Sequence, residues 1–88
     1  MSWKVEFTSK ARKDLRRISP SDQRRIADSL FDRVGNHPDP RSLAKRLSGV
    51  KMALWRFRVG DYRIIVSFED ERMIALVVAI GNRREIYR

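Results

Sequence analysis

Arg56, Arg58 and Arg63 are the residues of this chain whose type and spacing most invite chemistry. Trp55, Phe57 and Val59 alternate with Arg56 and Arg58, and that period of two predicts a strand with one apolar face and one cationic face. Gly60-Asp61 follows, a pair suited to a two-residue hairpin loop that needs positive φ. The run Tyr62 to Phe68 then reads as a second, antiparallel strand, which brings the three arginines onto neighbouring rungs. Like charges facing each other across a sheet repel, so stability gives no reason to crowd them there. An anion is expected on that face, and the planar fork of a guanidinium matches phosphate.

The elements that must position these groups read in order along the chain. Trp3, Val5 and Phe7 alternate with Lys4 and Glu6 as a short first strand. Thr8 or Ser9 can cap a first helix of about three turns with Ala11, Leu15 and Ile18 as its buried stripe. Lys10, Arg12, Lys13, Arg16 and Arg17 fall on its outer face. Ser19-Pro20 starts a second helix, Asp22 suits its first turn, and Ile26, Ala27, Leu30, Phe31 and Val34 form its apolar face up to Gly35. Residues 36–40 form a proline-rich loop holding the sole histidine, His37, which reads as structural or solvated. Residues 41–50 read as an irregular lead-in whose Lys45 and Arg46, with the following Lys51, are candidate RNA contacts. After the hairpin and the acidic turn Glu69-Asp70-Glu71, Met73 to Ile80 is apolar throughout and should be an interior strand. Gly81-Asn82 should break it, leaving Arg83 to Arg88 as a short terminal strand or extended tail. The order β-α-α-β-β-β predicts an α+β fold, with two N-terminal helices on one face of an antiparallel sheet. Trp55 and Phe57 should point into the helices, and the face carrying Arg56 and Arg58 should stay open.

The bulk properties bound the function. With 88 residues the chain is one domain, residues 1–88. Its net charge of +9 points to nucleic acid, an acidic protein or an anionic surface as partner. The absence of cysteine removes disulfides and thiolate metal sites. No acidic cluster suggests a metal, and neither metal nor organic cofactor is expected. The N-terminus lacks the apolar run of a signal peptide, and no stretch approaches the ~20 apolar residues of a membrane span. A cytoplasmic protein without a membrane partner is the expectation.

Three segments, Arg46-Leu-Ser-Gly49, Arg56-Phe-Arg-Val-Gly-Asp-Tyr-Arg63 and Ile80-Gly-Asn-Arg-Arg-Glu-Ile-Tyr87, together resemble the RelE/ParE superfamily of small bacterial and archaeal toxins, RelE most closely. The resemblance spans essentially the whole chain. It implies a ribosome-dependent endoribonuclease that cuts messenger RNA in the decoding site. It also implies a cognate antitoxin in a hetero-oligomer that can bind operator DNA. The basic pair on the strand before the hairpin falls on Arg56 and Arg58, and the arginine after the turn falls on Arg63. The arginine after the last long strand falls on Arg83 and the near-terminal tyrosine on Tyr87. Some members have lysine at the first two positions. Arginine there argues against proton transfer, because guanidinium does not release its proton at workable pH.

The resemblance makes Arg56, Arg58, Arg63, Arg83 and Tyr87 the catalytic set. Attack of a ribose 2′-hydroxyl on the adjacent phosphorus builds charge on the phosphoryl oxygens, and preorganised cations stabilise it. Tyr87 is the candidate general base, its phenolate favoured by nearby guanidinium groups. Arg83 would stabilise the transition state or leaving group, and Arg84 would face solvent or ribosomal RNA. A ParE-like inhibitor that binds DNA gyrase and cleaves nothing is the alternative. A non-catalytic nucleic-acid platform is the third reading.

Overall fold

The computed structural model describes residues 2–49 and 51–82, so the expected tail from Arg83 to Arg88 lies outside the described residues. Strand β1 (Lys4–Phe7) leads into helix α1 (Ser9–Arg16) and helix α2 (Pro20–Leu30), which runs on as a π-helical turn (Phe31–Gly35). A 3-10 turn (Pro40–Leu43) precedes β2 (Lys45–Arg46), β3 (Trp55–Val59), β4 (Tyr62–Glu69) and β5 (Ile74–Asn82). The five strands form one sheet in the order β1-β5-β4-β3-β2.

Local chemistry sets the element ends. Thr8 is the α1 cap: its hydroxyl oxygen accepts from the Ala11 N–H at 3.1 Å and its proton goes to the Val78 carbonyl. One side chain thus starts a helix and ties it to β5. Helix α1 is eight residues, shorter than its apolar stripe predicts; Ile18 still packs against the core from the following turn. Ser19 caps α2 with Pro20 in its first turn, as expected from their order. The helical stretch ends at Gly35, but without a left-handed cap; the Gly35 carbonyl instead accepts from the Trp3 N–H at 2.8 Å.

Strands β3, β4 and β5 form an antiparallel meander, with Gly60 at φ 57° in the first loop position. β1 joins the free edge of β5 in parallel, Lys4 opposite Ile74 and Phe7 opposite Val77, so the sheet is mixed rather than wholly antiparallel. The reason is directional: the meander leaves β5 running the same way as β1. β5 is interior, as its apolar composition predicts. It does not break at Gly81-Asn82; those residues pair with Arg63 and Tyr62 and lengthen the strand. The extra residue Val78 is absorbed where the pairing passes from Ile65–Ala79 to Val66–Val77. Part of the expected lead-in is also ordered, because Lys45 and Arg46 pair with Arg56 and Trp55.

Ala11, Ile26, Leu30 and Val34 from the helical layer meet Phe57, Val59, Ile64, Val66, Val77 and Ile80 on one face of the sheet. Trp55 departs from expectation. It lies half-buried in an edge-to-face contact with Phe68, at the end of the sheet where the Arg41 guanidinium rests over both rings. Arg41 also grips Asp70 through two hydrogen bonds of 2.8 and 2.7 Å, which fastens the 3-10 turn to the β4–β5 turn.

Candidate anion-binding face

The pairing register builds the cationic face. Arg58 on β3 stands opposite Arg63 on β4, which stands opposite Gly81 on β5. The neighbouring rung on the same face runs Lys45, Arg56, Ile65, Ala79. Directly paired residues share a face, with Cβ atoms about 4.5–5.5 Å apart, so four cations stand on two consecutive rungs. Gly81 adds no side chain beside Arg63.

The four cations differ in setting. Arg58 and Lys45 are exposed, Arg56 is half-buried, and Arg63 is only 6% exposed. The face is therefore not uniformly open, contrary to expectation: its centre is closed around Arg63 and Ile65. Among the described residues the Arg63 Nε and Nη1 atoms have no hydrogen-bond partner. A buried charge without a counterion is costly, by several kcal/mol even after relaxation. Arg33 donates to the Arg58 carbonyl at 2.9 Å and holds the end of β3 in place.

The other sequence candidates are dispersed. Arg46 pairs with Trp55 and so belongs to the opposite face, and Lys51 lies in the loop beyond the other end of β3. Arg83, Arg84 and Tyr87 lie outside the described residues. His37 sits in its loop with Nδ1 accepting from the Asp39 N–H at 3.0 Å. Tyr62 donates to Asp22 at 3.2 Å; desolvation first, and then this hydrogen bond, hold its phenol above the ordinary value, which keeps it neutral. A hollow of about 440 Å³ lies on the helix side, between Asp14, Arg17, Ile18, Tyr62 and the end of β5.

Asp14 had no signal in the sequence. Its Oδ2 accepts from the Ile80 N–H at 3.0 Å and from Lys10 Nζ at 2.9 Å. β1 ends opposite Val77, and Asp14 supplies the next acceptor along that edge of β5. Among the described residues no helix is long and apolar enough to cross a membrane, and no three acidic or histidine side chains could hold a metal ion.

The family model of the ParE toxin of type II toxin-antitoxin systems, parDE, matches residues 5–87. The chain belongs to that family. Within the wider RelE/ParE superfamily the toxin is 28% identical over 90 residues to Toxin RelG of Mycobacterium tuberculosis, covering all of this chain and 99% of that one. The solved toxin-antitoxin complex RelBE2 from the same organism contains a chain of the same fold, with a TM-score of 0.82 and 24% identity, over 94% of the toxin and 100% of that chain. The archaeal RelE-RelB complex from Pyrococcus horikoshii matches with a TM-score of 0.75 and 25% identity, over 97% of the toxin and 99% of that chain. The two-helix layer on a five-stranded, mostly antiparallel sheet is thus the RelE fold expected from the sequence.

Proposed function

We propose that this toxin is a ribosome-dependent endoribonuclease that cuts messenger RNA in the decoding site through attack of a ribose 2′-hydroxyl. The observation that carries the reading is the cluster of Arg58 and Arg63 on one rung with Arg56 and Lys45 on the next, Arg63 being a nearly buried guanidinium with two nitrogens unpartnered among the described residues. A phosphodiester seated there receives fixed cations aimed at the oxygens on which charge develops, and loss of one such contact can cost about 3–4 kcal/mol. Arg83 adds a further cation and Tyr87 takes the 2′-hydroxyl proton. The neutral, hydrogen-bonded Tyr62 leaves that task to Tyr87.

The small size of the domain supports the need for a ribosome. Orienting a flexible strand for in-line attack is worth about 7–11 kcal/mol, and a chain of 88 residues supplies little of it alone. The decoding centre would supply the rest. A cognate antitoxin restrains the activity: the RelE-like chains of known structure cited above are in complexes with RelB. A partner that neutralises the Arg58–Arg63 rung, or moves the segment bearing Tyr87, would silence the toxin, and the resulting hetero-oligomer could bind operator DNA.

The test is cleavage of a programmed messenger on purified ribosomes by wild type and Tyr87→Phe. Site-specific cutting that requires the ribosome and falls about 10²–10⁴-fold in the variant is expected. A folded, antitoxin-free wild type that cuts nothing overturns the reading. The family match to ParE then favours inhibition of DNA gyrase, read directly by a supercoiling assay.

A further inference from the structure

Of the candidate RNA contacts Lys45, Arg46 and Lys51, Lys45 is the one that the register places beside the arginines. It lies on the two-residue edge strand β2, directly opposite Arg56, and shares the face of Arg58 and Arg63. The other lysines are elsewhere or engaged. Lys4, on the far edge strand, pairs with Glu6 at 3.5 Å, and Lys10 pairs with Asp14. Lys13 belongs to α1 and Lys51 to the loop before β3. Lys45 is exposed and has no carboxylate partner among the described residues. Its strand is held in place by the Leu47 N–H to Leu54 carbonyl bond beyond it and by the Arg41 clamp before it.

The rung of Lys45 and that of Arg63 are two residues apart along the strands, about 7 Å, and β3 lies between β2 and β4, so the two strands are about 9.6 Å apart laterally. The exposed side chains of Lys45 and Arg58, on adjacent rungs and adjacent strands, are long enough to reach one phosphodiester linkage laid over this face. Their chemistry differs. A guanidinium holds its proton, whereas an ammonium can surrender one to a strong base such as an alkoxide. The arginines of this face can therefore stabilise charge but cannot protonate a leaving group.

We infer that Lys45 is the general acid of the cleavage, an assignment that rests on the nuclease reading above. As the 2′-oxygen bonds to phosphorus, the bond from phosphorus to the 5′-oxygen breaks. The 2′-hydroxyl proton passes to the general base, and the ammonium proton of Lys45 passes to the departing 5′-oxygen. The products are a 2′,3′-cyclic phosphate and a 5′-hydroxyl, and solvent returns the proton to the amine. The balance is complete without a further reactant.

The experiment compares wild type, Lys45→Ala and Lys45→Arg on ribosomes carrying either a natural messenger or one with sulfur in place of the bridging 5′-oxygen at the cut. A thiolate leaves without protonation. Both variants should cut the natural messenger about 10²–10⁴-fold more slowly than wild type and return to within tenfold of it on the sulfur-bridged one. Recovery of the natural reaction by Lys45→Arg would reduce Lys45 to a cationic contact. Loss that persists on the sulfur-bridged messenger, or a loss below tenfold in Lys45→Ala, would also overturn the assignment. Wild type that leaves the natural messenger whole fails the nuclease reading itself, which separates that failure from one specific to Lys45. Unfolding curves of the variants should overlay that of wild type, because the side chain is solvent-exposed.

Discussion

Arg58 and Arg63 are direct cross-strand partners, yet one is solvent-exposed and the other is 6% exposed with two nitrogens unpartnered among the described residues. Two like charges opposed on a sheet destabilise it, and burial of one adds a desolvation cost. Arg63→Met, similar in length and uncharged, should therefore leave the free toxin as stable as wild type or more stable, by up to about 4 kcal/mol. It should also abolish cleavage and weaken RNA binding. Urea unfolding beside the ribosome assay measures both. A marked loss of stability would mean that the guanidinium serves the fold instead.

Arg41 holds the end of the sheet distant from Arg63, with its guanidinium carbon 4.7 Å from the centre of the Phe68 ring and its nitrogens on Asp70. Arg41→Ala should destabilise by about 0.5–2 kcal/mol from the lost cation–ring contact, with loss of the paired hydrogen bonds adding to it. Arg41→Lys should not restore wild-type stability, because an ammonium cannot span both carboxylate oxygens. Thermal melting of the two variants decides this.

The same pair sets a pH response. The Arg41 hydrogen bonds hold the Asp70 carboxyl below its ordinary value, as Arg72 does for Glu69. A depressed carboxylate contributes stability that is present above its unfolded value and disappears as pH falls through its folded one. Stability should accordingly decline below the ordinary carboxylate range, and Asp70→Asn should flatten that decline. Melting temperatures of the two proteins across the acid range provide the comparison.

Asp14 anchors the C-terminal end of β5. Asp14→Ala leaves the Ile80 N–H without its acceptor and should cost about 1–3 kcal/mol. Asp14→Asn retains an oxygen and should cost less, while Lys10→Ala should shift stability by no more than about 0.5 kcal/mol. Denaturant midpoints order the three variants.

Arg12 and Lys13 are exposed on α1, Arg17 is exposed at its C-cap, and Arg16 is exposed with its Nε donating to the Arg12 carbonyl. If this face docks ribosomal RNA, Arg12→Glu with Arg16→Glu should lower the dependence of log affinity on log salt by about 1.4–1.8. Ribosome binding measured across a salt series tests it, and an unchanged slope would make the face an ordinary solvated helix surface.

The sequence by itself determined what neighbouring residues decide. The period of two in Trp55 to Val59, the Gly60-Asp61 loop, the Ser19-Pro20 helix start and the spacing of Ile26, Leu30 and Val34 are local signals, and each element formed where they stand. The three arginines also reached one face, because a hairpin fixes its own register. Only the tertiary structure decided what depends on distant partners. Gly81 and Asn82 are poor strand residues that remain in β5 because β4 offers them Arg63 and Tyr62. β1 is parallel to β5 because the meander fixes the direction of the last strand before β1 meets it. Trp55 leaves the helix core for Phe68 and Arg41, and Asp14 reaches Ile80 across 66 residues. Lys45 and Arg46 are adjacent and alike in charge, yet pairing with Arg56 and Trp55 sends them to opposite faces. Periodicity shows which residues share a face of one strand; only pairing between strands shows which charges meet.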